Sequence, residues 1–181
     1  MKRAIIIIDN TLTQYEVREE QYEGRTHIVV PVVMMVEGVH HGSAGPLLYT
    51  NEQLSDFPGR WNGIPVVIYH PADNKGRFIS ANSPEVINRE IVGRVFNTKF
   101  EEGKLKAEAW IDKDKLDDKS PGLLLRIQDN GAVDVSVGVF SEEVEEEGEW
   151  NGEKYVGIAQ NYLPDHLAIL PDEVGACSWD D

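Results

Sequence analysis

Residues 133–140 read Val-Asp-Val-Ser-Val-Gly-Val-Phe, and this run decides which type of fold the sequence predicts. Valine occupies every second position, which is the two-residue period of a β-strand with one apolar face. The opposite face carries Asp134, Ser136 and Gly138. We therefore expect a strand whose polar face displays a serine, with a glycine nearby that leaves the backbone open to close approach.

Short β-like segments continue on both sides of this run. Two hairpins are predicted, one from residues 14–23 and 26–37 and the other from residues 90–100 and 104–111, because a glycine-containing turn separates each pair. Residues 38–46 contain three glycines, a serine and a proline, which predicts a loop. Further strands are expected at residues 4–8, 64–69, 154–162 and 166–170.

The helices are predicted to be few and short. Thr50 or Asn51 is placed to cap one helix, and Pro84 at a first helical position marks another. Residues 113–130 form the best helix candidate, which Pro121 is expected to split in two. About seven to nine strands with three or four helices predict a mainly β domain of the α+β class, a closed or nearly closed barrel with surrounding helices.

Composition restricts the class of protein. The 181 residues are 41% hydrophobic, enough for a single domain over residues 1–181. No apolar run approaches the roughly 18 residues that a membrane-spanning helix needs. Cys177 is the single cysteine, so no intramolecular disulfide is expected and nothing indicates an oxidising compartment. The sequence therefore predicts a cytoplasmic protein.

The formal net charge of −15 predicts a strongly acidic surface. Such a surface repels the phosphate groups of nucleic acids, which argues against nucleic-acid binding. The acidic residues are concentrated at residues 142–149. This run is interpreted either as the solvated end of a hairpin or as a docking surface for a basic partner or peptide.

The five histidines are the first candidates for chemistry. His27 lies in an alternating strand and is interpreted as structural. His40 and His41 are adjacent in the glycine-rich segment, where neighbouring side chains point in different directions and no third ligand is fixed, so no metal site is predicted. His70 ends a short apolar strand and precedes a proline that keeps its backbone extended, a suitable position for a general base.

Ser136 and His166 are the other two candidates. Ser136 lies on the strand at residues 133–140, and His166 opens the apolar strand at residues 166–170. A histidine in that position can orient a base histidine from behind, in the role that an aspartate commonly has. Each feature taken alone is equally compatible with a structural residue, so their combination carries the interpretation.

Four segments in a fixed order resemble the prohead proteases of tailed phages. Residues 50–54 and 61–71 are similar to the helix and strand that lead to the catalytic histidine of that family, here His70. Residues 91–95 and 103–109 resemble the hairpin that follows in the family.

The nucleophile segment and the closing segment complete the resemblance. Residues 135–139 resemble the Ser-x-Gly segment, with Val139 where an aromatic residue is usual. Residues 166–171, and the Gly-Ala pair at residues 175–176, resemble the closing strand. Many phage members carry glutamate at the first position of that strand, whereas His166 stands here, as in the herpesvirus assemblins. The order His, Ser, His is the assemblin order.

The resemblance implies a seven-stranded assemblin-like β-barrel with a core over residues 26–176, and a serine endopeptidase without a cofactor. In that reading Ser136 attacks the peptide carbonyl, His70 is the general base and then the general acid, and His166 holds the His70 ring.

The donors of the oxyanion hole and an alternative third member of the triad are two further assignments. The backbone N–H groups of Val137 and Gly138 are candidates for the oxyanion hole. Asp165 is an alternative third member of the triad, although the strand period places it on the opposite face from His166.

The resemblance also implies the partners. The expected substrates are the scaffold protein, the major capsid protein and the chain itself, cleaved inside the phage prohead in the host bacterial cytoplasm. A homodimer or an assembly-dependent oligomer is compatible with the family. A C-terminal scaffold region often follows the protease domain there, and three interpretations are open for this sequence: a protease without that region, a trimmed chain, or a self-cleaved product. A non-catalytic capsid-assembly or scaffolding module on the same fold is the alternative function. An acidic β-domain that binds a basic peptide is a second alternative.

Overall fold

The apolar strands of the chain form one mixed β-sheet with short helices packed around it. The computed structural model describes residues 2–8, 17–42, 45–129 and 133–172, and for residues 2–8 it describes the backbone alone. The strands are β1 (Lys2–Ile8), β2 (Arg18–Tyr22), β3 (Arg25–Val36), β4 (Gly38–Gly42), β5 (Gly45–Tyr49), β6 (Pro65–Ile68), β7 (Ile91–Glu101), β8 (Lys104–Asp112), β9 (Asp134–Val144), β10 (Gly148–Trp150), β11 (Glu153–Tyr155) and β12 (Gly157–Leu170). The helices are α1 (Asn51–Ser55), α2 (Pro84–Arg89), α3 (Lys113–Lys119) and α4 (Pro121–Gln128), and a 3-10 helix covers Pro58–Trp61.

The order of the strands places β12 at the centre of the site described below. The main path of the ten-stranded sheet is β1-β9-β12-β6-β7-β8-β3-β2, with β5 also paired to β12 and β4 paired to β5. Strand β12 runs parallel to β5 and β6 and antiparallel to β9. Strands β10 and β11 form a separate hairpin. Within the described residues, no helix combines the length and apolarity needed to cross a membrane.

The closed seven-stranded barrel predicted from the sequence is not observed. Across the ranges that the structure describes, no ladder joins the ends of the path, so the sheet stays open. It is nevertheless curved, since β1 lies beside β3 and β4. The strand count differs from the prediction because β4, β5 and the small β10–β11 hairpin add strands to segments that carry little alternation in sequence.

The two predicted hairpins are confirmed where they are described; residues 14–16 lie outside the described residues. In the β2–β3 turn, Glu23 and Gly24 have φ values of 51° and 73°. In the β7–β8 turn, Glu102 and Gly103 have φ values of 53° and 74°. Two consecutive left-handed residues give the turn whose twist matches that of the flanking strands, and glycine adopts this conformation without a steric penalty.

The predicted helices are also confirmed. The hydroxyl of Thr50 accepts a hydrogen bond from the backbone N–H of Gln53 at 3.3 Å and caps α1. Pro84 begins α2 at its first helical position. The chain breaks between α3 and α4 at Ser120, immediately before Pro121, because proline lacks the N–H that a continuous helix would use.

The loop predicted at residues 38–46 is wrong for residues 38–42 and 45–46, which lie in the paired strands β4 and β5; residues 43–44 lie outside the described residues. The glycines lie at the ends of the strands and do not prevent strand pairing, since Gly42 pairs with Gly45. Gly38 has a φ of 156°, and a Cβ on it would lie 3.5 Å from the ring of Trp150. Between the glycines, the side chains of Val39 and His40 are buried, and this packing determines the conformation.

The two strands predicted at residues 154–162 and 166–170 are largely one continuous strand, β12. Pro164 lies inside it, and the register against β9 shifts between Pro164 and His166. Proline within a strand is tolerated at such an irregularity because no ladder hydrogen bond is lost there.

Strand β9 is covered on both faces, so the predicted polar face is wrong. Ser136 is 1% exposed, and Val135, Val137 and Val139 on the other face are buried in the main core. The serine face is covered by the residues of the candidate site. A buried hydroxyl needs a hydrogen-bond partner, and the structure supplies one.

Candidate active site

Three segments that are distant in sequence come together at one site. Strand β9 carries Ser136, β12 carries Asp165 and His166, and His70 follows the end of β6. The residue before it, Tyr69, has a φ of 59°, which is rare for a residue with a bulky side chain. Its backbone N–H donates to the carbonyl of Ile169 at 2.9 Å, so the chain is still fixed to β12 where it turns towards the site.

The side chains of these segments form a continuous line of hydrogen bonds, the relay. Nε2 of His70 lies 2.8 Å from Oγ of Ser136, and Nδ1 of His70 lies 2.7 Å from Nε2 of His166. Nδ1 of His166 lies 2.7 Å from Oδ1 of Asp165. Ser136, His166 and Asp165 are each buried, whereas His70 is half-buried and forms the part of the relay that faces the surface.

The sequence interpretation placed Asp165 on the opposite face of the strand, and this is wrong. Pro164 pairs with Val139 and His166 pairs with Gly138, so Asp165 is the extra residue of a β-bulge. A bulge interrupts the two-residue alternation and redirects side chains. As a result, two consecutive residues of β12 serve the same site. Asp165 is hydrogen-bonded to His166, and so stands behind the second histidine as a fourth group.

Asp165 is held by one short turn of the chain, residues 80–82, which we call the clamp. The hydroxyl of Ser80 donates to Oδ2 of Asp165, and the backbone N–H of Ala81 donates to Oδ1 at 2.8 Å. The side-chain amide of Asn82 lies 3.2 Å from the backbone carbonyl of Asp165 and 3.3 Å from Oδ2. Several donors on one buried carboxylate fix its position and favour its charged form.

Burial and hydrogen bonding set the charge states of the relay. Burial opposes ionisation of Asp165, but hydrogen bonds from His166, Ser80 and the Ala81 N–H outweigh it and lower the pKa of the carboxyl to about 2. Burial, and then the neighbouring His166, lower the pKa of His70 from 6.5 to about 4. At neutral pH the carboxylate is therefore charged and His70 is neutral, which is the state that a general base requires.

If both histidines are neutral, the charged carboxylate determines the direction of each hydrogen bond in the relay. Asp165 can only accept, so Nδ1 of His166 donates to it. With His166 neutral, its Nε2 is an acceptor and takes the Nδ1–H of His70. This leaves Nε2 of His70 as an acceptor that faces the hydroxyl of Ser136. The arrangement is chemically able to withdraw the serine proton and make the oxygen a nucleophile.

Gly138 has a specific steric role in this arrangement. It pairs with His166 across the β9–β12 ladder, and a Cβ placed on it would lie 2.2 Å from Cε1 of His166. The absence of a side chain at residue 138 therefore provides the space for the imidazole ring. From the sequence we expected this glycine to admit a substrate, whereas in the structure His166 covers it.

Val137 and Gly138 lie in the middle of β9, which is paired to β1 on one edge and to β12 on the other. Backbone N–H groups of a strand point in the plane of the sheet, towards the neighbouring strands. Their role as oxyanion donors stays a prediction.

The remaining histidines lie away from the relay. Nε2 of His40 lies 2.9 Å from the carbonyl of Val36 in the β4–β5 region, and burial lowers the pKa of that ring. His41 is exposed and lies 2.7 Å from a carboxylate oxygen of Glu153. The residues that the structure describes contain no group of three or more His, Cys, Asp or Glu positioned to hold a metal ion.

The pH dependence of the relay can be predicted from these charge states. The kcat/KM of any reaction that begins with removal of the serine proton is expected to stay near its plateau at about pH 6 and to fall towards about pH 4, because protonated His70 cannot accept that proton. A solvated histidine would instead place the fall near about pH 6.5. The measurement is kcat/KM across this range, and an acidic limb at about 6.5 or above would contradict a buried base.

Folding needs a separate measurement in the same experiment. Unfolded His70 takes up a proton below about pH 6.5, whereas the folded protein does so only near about pH 4. The unfolded state therefore binds more protons between these values, and the free energy of unfolding decreases as the pH falls. Circular dichroism at each pH distinguishes loss of fold from loss of the base.

Sequence reasoning did not identify the clamp. Ala81 and Asp165 are 84 residues apart, and the segment at residues 82–84 was interpreted only as a helix start. The proline before Asp165 is the one local signal of the bulge, since proline inside a strand is typical of irregular pairing.

The fold resembles that of a known protease. No protein-family model and no curated protein sequence matches the chain. The structure is similar to that of the bacteriophage T4 capsid assembly protease, gp21, with a TM-score of 0.63 over 93% of this chain and 97% of that chain, at 9% sequence identity. At this identity the likeness shows the fold: the chain has a mainly β architecture of the kind found in that capsid assembly protease.

Proposed function

We propose that this chain is a serine endopeptidase with Ser136 as the nucleophile. The observation that carries the proposal is the relay itself, in which a buried carboxylate, two histidines and a serine are joined by consecutive hydrogen bonds, with Nε2 of His70 2.8 Å from the serine hydroxyl. Its occurrence on a fold similar to that of a capsid assembly protease supports a role in phage prohead maturation.

The relay gives each residue a step in the reaction. Nε2 of His70 takes the hydroxyl proton as Oγ of Ser136 forms a bond to the peptide carbonyl carbon. The protonated His70 then gives this proton to the leaving nitrogen as the C–N bond breaks, which leaves an acyl-enzyme. A water molecule then attacks the acyl carbon while Nε2 of His70 takes its proton, and His70 returns this proton to Oγ of Ser136 as the acyl C–O bond breaks.

His166 and Asp165 act on His70 without contacting the peptide. Nε2 of His166 binds Nδ1 of His70, which fixes the His70 ring and leaves Nε2 of His70 available to Ser136. When His70 becomes positively charged, the negative charge of Asp165 lies one imidazole ring away and stabilises that positive charge. This fourth group compensates for the weaker stabilisation that a neutral histidine gives compared with a carboxylate in the third position.

A fluorophosphonate probe tests the proposal directly. Oγ of Ser136 is expected to form a bond to phosphorus as fluoride leaves, with the proton passing to His70, and mass spectrometry of the digested protein identifies the modified peptide. The heat-denatured protein is the control, since labelling there would not depend on the relay. A folded protein without a label on Ser136 would contradict the serine mechanism and favour the alternative, a non-catalytic capsid-assembly module.

The substrates and the location follow from the same proposal. We infer that the enzyme cleaves the scaffold protein, the major capsid protein and its own chain inside the immature phage head, in the host bacterial cytoplasm. The net charge of −15 opposes self-association at low ionic strength, so any homodimer or assembly-dependent oligomer is expected to be favoured by salt.

Asp165→Asn tests the role of the carboxylate. The amide oxygen can still accept the hydrogen bond from His166, so the variant removes the charge with little change in shape. The expected loss of kcat is about 10- to 100-fold with KM nearly unchanged, because the charge stabilises a state formed only during the reaction. Removing the negative charge also disfavours protonation of the relay, so the acidic limb of the pH profile is expected to move to lower pH.

The exposed Asp117 on α3 offers the matched control, since Asp117→Asn makes the same chemical change far from the relay. This variant is expected to keep wild-type kcat and the wild-type acidic limb. Equal kinetics and equal pH profiles for the two variants would show that Asp165 has a structural role alone.

A further inference from the structure

The loop that joins His70 to the clamp carries an exposed aromatic ring beside the relay. Phe78 is 49% exposed, and its ring packs edge-on against the imidazole of His70 with the centroids 5.9 Å apart and the planes at 80°. Both nitrogens of His70 already have partners in the relay. Phe78 therefore contacts the part of the base that does not take part in proton transfer.

The loop is held in one shape by the carboxylate of Asp73. Oδ1 of Asp73 accepts the backbone N–H groups of Lys75 and Arg77 at 2.8 and 3.0 Å, and Oδ2 accepts the guanidinium of Arg77. Ala72 and Phe78 pair as an antiparallel bridge. The backbone N–H of Ile79 also donates to the carbonyl of Pro71 at 2.9 Å.

Both ends of this loop are fixed to the relay. His70 at one end binds Ser136 and His166, and the clamp at the other end binds Asp165. The ring of Phe78 is consequently held at a fixed position relative to the reacting groups, which is the condition for a side chain to act as a subsite wall.

The direction of proton transfer shows which part of a substrate passes this ring. In the proposed function, on which this inference rests, Nε2 of His70 protonates the nitrogen that leaves. The leaving side of the peptide must therefore lie on the His70 side of Ser136. Phe78 packs on His70, so the first residue after the scissile bond passes close to the phenyl ring.

We propose that Phe78 forms a wall of the subsite for the residue that follows the scissile bond, and that this subsite selects apolar side chains. Apolar contact with a phenyl ring changes kcat/KM to a limited extent, about tenfold for a side chain of leucine size. The acyl side of the substrate does not pass this ring, so its selection is independent of Phe78.

The test is a digestion of a proteome-derived peptide library, in which relative kcat/KM values are sorted by the residue after the cleaved bond. The wild-type enzyme is expected to favour Leu, Ile, Met and Phe over Ser, Gly and Asp by about tenfold. Phe78→Ala is expected to reduce this ratio to nearly one, and Phe78→Leu to preserve most of it. Phe57→Ala is the matched control, because Phe57 is 64% exposed and contacts Arg60 instead of the relay.

A peptide methyl ester distinguishes the subsite from the serine mechanism, because its leaving group is methanol, which has no side chain that could contact Phe78. Its hydrolysis by wild type and by Phe57→Ala is expected to be equal, which shows that the relay is active whatever the outcome at the subsite. Ester hydrolysis with an unchanged apolar preference in Phe78→Ala would overturn the subsite alone. Absence of ester and peptide hydrolysis from the folded wild-type protein would overturn the proposed function, and the subsite with it.

Discussion

Ser136→Ala is expected to remove peptide cleavage by about four orders of magnitude or more while leaving the protein folded. The expected loss is large because, in the proposed reaction, Oγ forms the covalent bond to the substrate and no other atom of the relay replaces it. The fold is expected to survive because one buried hydroxyl and its hydrogen bond contribute about 1 kcal/mol. The measurement is kcat/KM for a cleaved peptide, together with the thermal midpoint.

Ser141→Ala is the matched control, since Ser141 is also buried on β9 at 5% exposed and lies outside the relay. It is expected to keep wild-type activity. His70→Ala completes the test: it should cost about as much as Ser136→Ala, and the double variant little more, because nucleophile and base act as one unit. Additive losses, or substantial activity in Ser136→Ala, would exclude the serine mechanism.

Gly138→Ala is expected to reduce kcat by about 100-fold or more, although the added methyl group contacts no substrate in the proposed reaction. The methyl carbon would lie 2.2 Å from the ring of His166, which is buried and held by hydrogen bonds at both nitrogens. The ring has to move, and any movement lengthens its bond to His70 or to Asp165. Overpacking of this kind is also expected to cost about 1–3 kcal/mol of stability.

Gly122→Ala controls for the glycine-to-alanine change itself. Gly122 lies on α4, and no heavy atom lies within 4 Å of the point that an added methyl group would occupy, so the substitution is expected to be neutral or stabilising. Comparison of kcat and the thermal midpoint for the two variants isolates the steric effect on His166. If Gly138→Ala kept wild-type kcat, the position of the second histidine would be irrelevant to catalysis.

The sequence predicted those parts of the fold whose signals are local. The β7–β8 hairpin was predictable because alternating apolar residues flank a turn that ends in Gly103, and the α3–α4 break because Pro121 interrupts a helical pattern. The β4–β5 hairpin was not predictable, because the glycines at the ends of its strands make the segment glycine-rich, and a glycine-rich segment is typical of a loop. Openness of the sheet was not predictable either, because it depends on how distant strands pair.

The candidate site likewise has a part that the sequence predicted and a part that it did not. Residue type and order in the chain identified His70, Ser136 and His166 as one group of candidates. In the structure these three side chains are in hydrogen-bond contact. The contribution of Asp165 depends on a bulge, which a two-residue period cannot represent. The donors of the clamp reach Asp165 across 83 to 85 residues of sequence, a separation at which a single sequence contains no pairing signal.

The position of β12 has a consequence for when the candidate site can form during biosynthesis. This strand lies between β9 and β6 in the sheet, but it follows both of them in the chain. Ribosomes deliver the N-terminal part of a protein first. A nascent chain that ends before residue 157 therefore has an unfilled position in the middle of its sheet and lacks both His166 and Asp165. Under the proposed function, the nucleophile and the base are thus synthesised well before they can act, because the relay is complete only after β12 has been inserted.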